Sequence, residues 1–192
     1  MGMYSQLKLN VDLEYNVELL TVLKYMADTS LFEGYSLDKP IQPLIDAGVN
    51  LDYPLFKTER WSHMITGDHD MFDGNCDPVI EIKDHWGRKF IHFECCFDLK
   101  DYDGECKCFL NYLEPYITND KEFIGHYWYE EYSNPVPIWV EYHKIEFCEN
   151  FSSKLIETLE KAKEYYNILG WHNIQKTIDQ VIKEANSIEE YE

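Results

Sequence analysis

Positive charge is scarce in this sequence. Its 192 residues hold 17 Lys and Arg against 36 Asp and Glu, a formal net charge of -19, and the arginines are Arg60 and Arg88 alone. Binding to a phosphate backbone depends on Lys and Arg displacing condensed counterions, so no direct contact with nucleic acid is expected. Anionic membrane leaflets recruit polybasic segments, and no membrane partner is expected either. Residues 1–96 carry 16 acids and 8 bases, and residues 97–192 carry 20 and 9. The deficit is therefore a property of the whole surface and not of an acidic tail.

Other signals are missing too. No segment approaches the roughly 18 consecutive apolar residues of a membrane span. Met1 to Val11 lacks the basic-then-apolar layout of a secretory signal, and a cytoplasmic location is expected. The cysteines (Cys76, Cys95, Cys96, Cys106, Cys108 and Cys148) form no regular framework and no Cys-x-x-Cys, which suits reduced thiols used as small apolar residues. There is no Gly-rich phosphate cradle, no Gly-x-Ser-x-Gly elbow and no His-Glu-x-x-His. No cofactor is expected.

What the chain does have is apolar and aromatic mass: 45% hydrophobic and 16% aromatic residues, enough for a compact fold in spite of the charge. Leu7, Leu9 and Val11 alternate with polar residues as in a half-buried strand, and Asn16 can cap a helix bearing Leu19, Leu20, Leu23, Met26 and Ala27. Gly34, Pro40, Pro43, Gly48 and Pro54 then break the chain, so residues 30–78 read as an irregular excursion with short helical turns near Leu44 and Trp61. An excursion of that length needs a function or a clamp of its own aromatics.

Val79–Ile82 and Lys89–Phe97 flank a turn at Gly87, with Ile91, Phe93, Cys95 and Phe97 on the core side. Asp101 or Asp103 caps a helix from about Gly104 to Ile117, whose buried stripe is Cys106, Phe109, Leu110, Leu113 and Ile117. Phe123–Glu131 and Val136–Phe147 read as a second hairpin around Ser133-Asn134-Pro135, and a helical tail from Ser152 or Ser153 breaks at Gly170 and resumes.

This order predicts an α+β single domain: a mainly antiparallel sheet of two hairpins plus the N-terminal strand, helices on one face, and a C-terminal helical pair. The β-α-β-β-α-β order also allows a ferredoxin-like kernel. The core spans residues 1–150, and residues 151–192 form a helical extension expected to pack on it.

Four aspartates within Gly67–Asp77 suggest hard-cation ligands, but a calcium loop begun at Asp68 puts Phe72 and Asp73 where an oxygen ligand and the glycine belong. His63 and His69 near Cys76 lack zinc spacing, and no metal is expected. Neither Cys95-Cys96 nor Cys106 with Cys108 forms a redox motif, while His92 shares a strand face with Cys96. Carboxylates beside aromatics could line a sugar groove, which makes Glu130, Glu131 and Glu141 candidates for a hydrolase.

The aromatic surplus of 15 Tyr and 5 Trp suits an interface, because these rings bury large areas and keep a polar handle. Where rings and acids interleave, a binding site is expected from Tyr127, Trp128, Tyr129, Glu130, Glu131, Tyr132, Trp139 and Glu141. The expected function is an acidic module that blocks or escorts a basic protein partner, as an immunity protein, an inhibitor or a DNA mimic would. A carboxylate-dependent or metal-assisted hydrolase is one alternative. A structural subunit that docks through its C-terminal helices is another.

Overall fold

The computed structural model describes residues 4–28, 41–62, 64–66, 72, 74, 76–148, 151–168 and 171–189. They form an α+β fold in two compact units, residues 1–147 and 148–192.

In the first unit, β1 (Tyr4–Glu14) leads into α1 (Val17–Ala27), followed by the short α2 (Gln42–Asp46) and single 3-10 turns at Pro54–Lys57 and Met64–Thr66. Then come β2 (Cys76–His85), β3 (Arg88–Lys100), α3 (Glu105–Leu113) with a 3-10 extension at Glu114–Tyr116, β4 (Glu122–Tyr129), β5 (Val136–Glu141) and β6 (Lys144–Phe147). One six-stranded sheet results, in the order β2-β3-β1-β4-β5-β6, with every neighbouring pair antiparallel. Its first four strands follow the 4-1-3-2 arrangement of a split βαβ kernel, and β5 and β6 extend it beyond β4.

Period-2 alternation sets the layers. Leu7, Leu9, Val11 and Leu13 of β1, with Ile91, Phe93, Cys95 and Phe97 of β3, are buried together with Leu19, Leu23 and Met26 of α1 and Phe109, Leu110 and Leu113 of α3. Helices thus cover one sheet face. The Asn16 side chain accepts the Leu19 N–H at 2.9 Å and starts α1 as expected. At α3 the capping oxygen stands outside the cap position: Gly104 occupies it at φ 73, and Asp101 Oδ1 takes the Cys106 N–H at 3.3 Å.

The part of the excursion from residue 41 to 66 is clamped by rings. Trp61 stacks on Tyr25 at 5.6 Å and meets Phe56 edge-on at 4.9 Å, while Tyr53 and Phe56 both pack edge-on against Tyr112. Of the Asp-rich cluster Gly67–Asp77, the described residues are Phe72, Gly74, Cys76 and Asp77, and the rest lies outside them, as does His63.

One expected strand is corrected. Val136–Phe147 folds as two strands, because Tyr142 and His143 both take positive φ (51 and 59) and close a two-residue turn between Glu141 and Lys144. Asp120 Oδ1 holds that turn by accepting the Tyr142 N–H at 2.7 Å.

The second unit is a helix pair, α4 (Phe151–Ile168) and α5 (His172–Glu189). Lys163 pairs with Asp179 between them, and Trp171 stacks on Tyr166 at 5.8 Å. No helix among the described residues is long and apolar enough to cross a membrane.

Candidate functional site

Strand alternation divides the aromatic and acidic run. Tyr127 and Tyr129 lie opposite Leu7 and Ser5, on the face that carries the helices. Trp128 lies opposite Gln6 on the other face, packs on Phe72 at 4.9 Å and donates its indole N–H to the Tyr132 carbonyl at 3.0 Å. Trp139 also takes that second face, buried edge-on against Phe123 at 4.5 Å, and Glu141 follows it two residues on. Glu130, Glu131 and Tyr132 belong to the turn after β4.

A tighter group remains at one corner of the helix-side face. Tyr132 meets Tyr129 at 5.4 Å and Tyr127 at 6.5 Å, and Phe147 meets Tyr127 at 6.1 Å, all edge-on. Tyr132 and Phe147 are exposed, with Glu130 and Glu131 beside them. Partial desolvation, and then the Glu131 and Glu130 carboxylates, push the Tyr129 phenol above its ordinary pKa. The corner is aromatic at its centre and negative at its rim.

Sequence reading missed a carboxyl cluster where β3 meets α3. Glu105 is wholly buried, and burial, with Asp101 beside it, raises its pKa above the usual carboxylate value. Its Oε2 accepts the Asp103 N–H at 3.0 Å, while Oε1 has no hydrogen-bond partner among the described residues. The Arg60 guanidinium stands 3.8 Å from Oε1 but 3.1 Å from Glu59, and it also covers the Tyr102 ring. Asp101 Oδ2 accepts the Tyr127 phenol at 3.3 Å, and the Ser5 hydroxyl lies 2.8 Å from the same phenol. The only local clue was the acid-rich Asp101-Tyr102-Asp103-Gly104-Glu105; Arg60, Tyr127 and Ser5 arrive from distant strands and loops.

The sheet face opposite α1 and α3 carries two polar chains. His92 places Nδ1 2.8 Å from Asp12 and Nε2 2.7 Å from Glu94. Burial opposes the charged ring, yet the two carboxylates win and its pKa rises. Further along, His126 Nε2 donates to Gln6 at 3.2 Å, Gln6 donates to Asp98 at 3.1 Å, and the Phe72 N–H reaches the other Asp98 oxygen at 2.8 Å. Burial, and then Lys8, lower the His126 pKa, so this ring is neutral at pH 7 and acts as the donor.

His92 therefore engages carboxylates rather than Cys96. Cys76, Cys95, Cys96, Cys106 and Cys108 are free thiols, and burial raises those of Cys95, Cys96, Cys106 and Cys108 above their ordinary pKa. Protonated thiols are poor nucleophiles. Among the described residues, no three His, Cys, Asp or Glu side chains are grouped to hold a metal ion. No family model, curated protein or solved structure matches the chain.

Proposed function

We propose that this chain is a cytoplasmic, acidic protein-binding module that blocks or escorts a basic macromolecular partner. The observation that carries the reading is uncompensated charge. If each of the 17 Lys and Arg neutralised a different acid, 19 of the 36 carboxylates would remain without a cation. Lys57, Arg60, Lys83, Lys144, Lys161 and Lys163 each already have a carboxylate within the chain. Such a field speeds encounter with a cationic surface and sets its register.

The corner formed by Tyr129, Tyr132, Phe147, Glu130 and Glu131 supplies rigid anchors with an acidic rim. That localised arrangement suits an inhibitor covering a basic cleft better than a mimic with carboxylate rows across a whole face. The free thiols of Cys76, Cys95, Cys96, Cys106 and Cys108 fit a reducing compartment. The hydrolase alternative names Glu130, Glu131 and Glu141, or the Asp68–Asp77 loop, most of which lies outside the described residues; of the carboxyl pair that the structure adds, Asp101 and Glu105, Glu105 has no solvent-exposed surface.

A docking subunit is a second reading, favoured by Trp171, Ile174 and Val181, which are exposed at helical spacing on and just before α5. Affinity capture from the native host tests both. Raising salt from about 0.1 M to about 1 M shortens the Debye length from about 10 Å to about 3 Å and should release a partner held by charge. The bait Glu130→Gln/Glu131→Gln/Tyr132→Ala should lose a basic partner that the native chain retains. Salt-insensitive capture lost with Trp171→Glu/Val181→Glu would favour the docking arm instead.

A further inference from the structure

The edge of the sheet holds a feature that the proposed binding role does not use. β2 is an outer strand, and no strand among the described residues pairs with its far side. Trp86 and Gly87 both have positive φ, 56 and 78, and form a two-residue hairpin loop flanked by the pair His85–Arg88. In such a hairpin the flanking residues exchange backbone hydrogen bonds, and bonded pairs then alternate along the ladder. Lys83 and Glu81 therefore bond inward to Phe90 and His92, while Ile80, Ile82 and Asp84 turn their N–H and C=O groups outward.

Edge strands commonly carry devices against pairing. Here they sit at one end of β2: Pro78 has no N–H, and a register shift disturbs the strand between Cys76 and Val79. The stretch from Ile80 to His85 is regular and open. Val79 is 36% exposed, Ile82 48% and Trp86 94%, the last at a backbone angle that bulky residues rarely adopt.

The geometry points to a second copy of this chain as the occupant, paired antiparallel β2 to β2 about a two-fold axis at Ile82. The order Glu81-Ile82-Lys83 is self-complementary when reversed. Glu81 meets Lys83 of the second copy, Lys83 meets its Glu81, and the two Ile82 side chains meet each other. Ile82 with Ile82, and Ile80 with Asp84 twice, become bonded pairs that exchange about six backbone hydrogen bonds.

The Glu–Lys pairs fall at the non-bonded positions, where cross-strand side chains approach most closely. The Glu81–Lys83 contact within one chain is 4.0 Å long and half-exposed, so both groups can exchange partners. The same register sets Trp86 beside Pro78 of the second copy and Val79 beside its His85. Every large apolar residue exposed on this edge then has a neighbour. The pairing is isologous and closed, and it joins two six-stranded sheets into one.

Sedimentation velocity of the full chain tests the pairing at about 0.15 M salt, where repulsion between the acidic copies is screened within about 8 Å. From about 1 to about 100 µM, the range expected for a small interface, monomers should give way to dimers. Glu81→Lys and Lys83→Glu should each weaken the dimer by about tenfold, since either places like charges opposite each other twice. The double variant Glu81→Lys/Lys83→Glu should restore it to within about threefold. Ile82→Pro removes an outward N–H and leaves the inward ladder intact, so it should abolish the dimer while circular dichroism stays native. A chain that stays monomeric at all these concentrations overturns the inference. So does a dimer indifferent to the single charge reversals, or one that the double variant does not recover.

Discussion

Replacing Gly125 with alanine should be among the most damaging single-methyl changes available. Gly125 faces Leu9 where β4 crosses β1, next to the irregularity between Phe123 and Gly125. A Cβ at this position would lie 1.8 Å from the Lys8 carbonyl oxygen, 2.8 Å from its carbon and 3.0 Å from Leu9 Cα. Those atoms are main chain, so no rotamer change relieves the clash. The strands must separate by more than about 1 Å, which disrupts the neighbouring pairs and the His126–Gln6–Asp98 chain. Two or so weakened hydrogen bonds at about 1 kcal/mol each, with about 1–3 kcal/mol of core strain, amount to roughly 3–5 kcal/mol.

Gly87→Ala is the matched control. Its φ is 78 and a Cβ there meets nothing within 4 Å, so its cost is the left-handed backbone alone, about 1–2 kcal/mol. Urea unfolding followed by near-ultraviolet circular dichroism should separate the two variants, and Gly125→Ala should melt roughly 10 °C below the native chain. If both variants lost the same stability within about 1 kcal/mol, the close approach of β1 and β4 would be wrong.

Three further outcomes follow from the buried groups. Glu105→Gln keeps an acceptor for the Asp103 N–H and removes an acid whose pKa is raised by burial, so it should raise stability at neutral pH by about 1 kcal/mol in urea unfolding. Because the folded pKa of Glu105 lies above the unfolded one, this advantage should vanish below about pH 4 and appear as pH rises through the folded value. The raised pKa of His92 has the corresponding sign: its ion pairs stabilise below the unfolded value near 6.5 and fade as pH rises through the folded value. The gap between the native chain and His92→Gln should therefore narrow from pH 5.5 to pH 8, as about 1 kcal/mol or less, because Asp12 and Glu94 are half-exposed. Phe109→Ala should cost about 3–5 kcal/mol in the same unfolding assay, since the ring is fully buried edge-on against Phe93 and Phe97.

The parts of the fold that could be read in advance are those where neighbours in sequence decide the outcome. Ile91, Phe93, Cys95 and Phe97 alternate with more polar residues, and that alternation alone places them in the core. The Asn16 cap and the α3 stripe are equally local. By contrast, Glu141-Tyr142-His143-Lys144 contains no glycine, asparagine or proline, so its turn was illegible. The Asp120 carboxylate that holds it lies 22 residues earlier.

The candidate binding run shows the same limit. Its density of rings was visible, but strand alternation sends Trp128 and Trp139 to one face and Tyr127 and Tyr129 to the other. Phe147 joins Tyr127 only because the unexpected turn folds β6 back onto β5. The Asp101–Glu105 cluster needed Arg60 and Tyr127 beside it, and no local pattern encodes such company.

The central position of β1 also has a consequence for synthesis. Gln6 bonds Asp98 and His126 across separations of 92 and 120 residues, so β1 precedes both of its neighbours by most of the first unit. At about 5–20 residues per second, 120 residues take roughly 6–24 s to add. Until β3 and then β4 have been added, Leu7, Leu9, Val11 and Leu13 belong to a strand whose sheet is incomplete, in need of shelter from other apolar segments. Ribosome-held chains that stop short of β4 should be cleaved readily by protease within β1, and chains that extend past β6 should resist. For this molecule, the strand that ends at the centre of the fold is the one that waits longest to be folded.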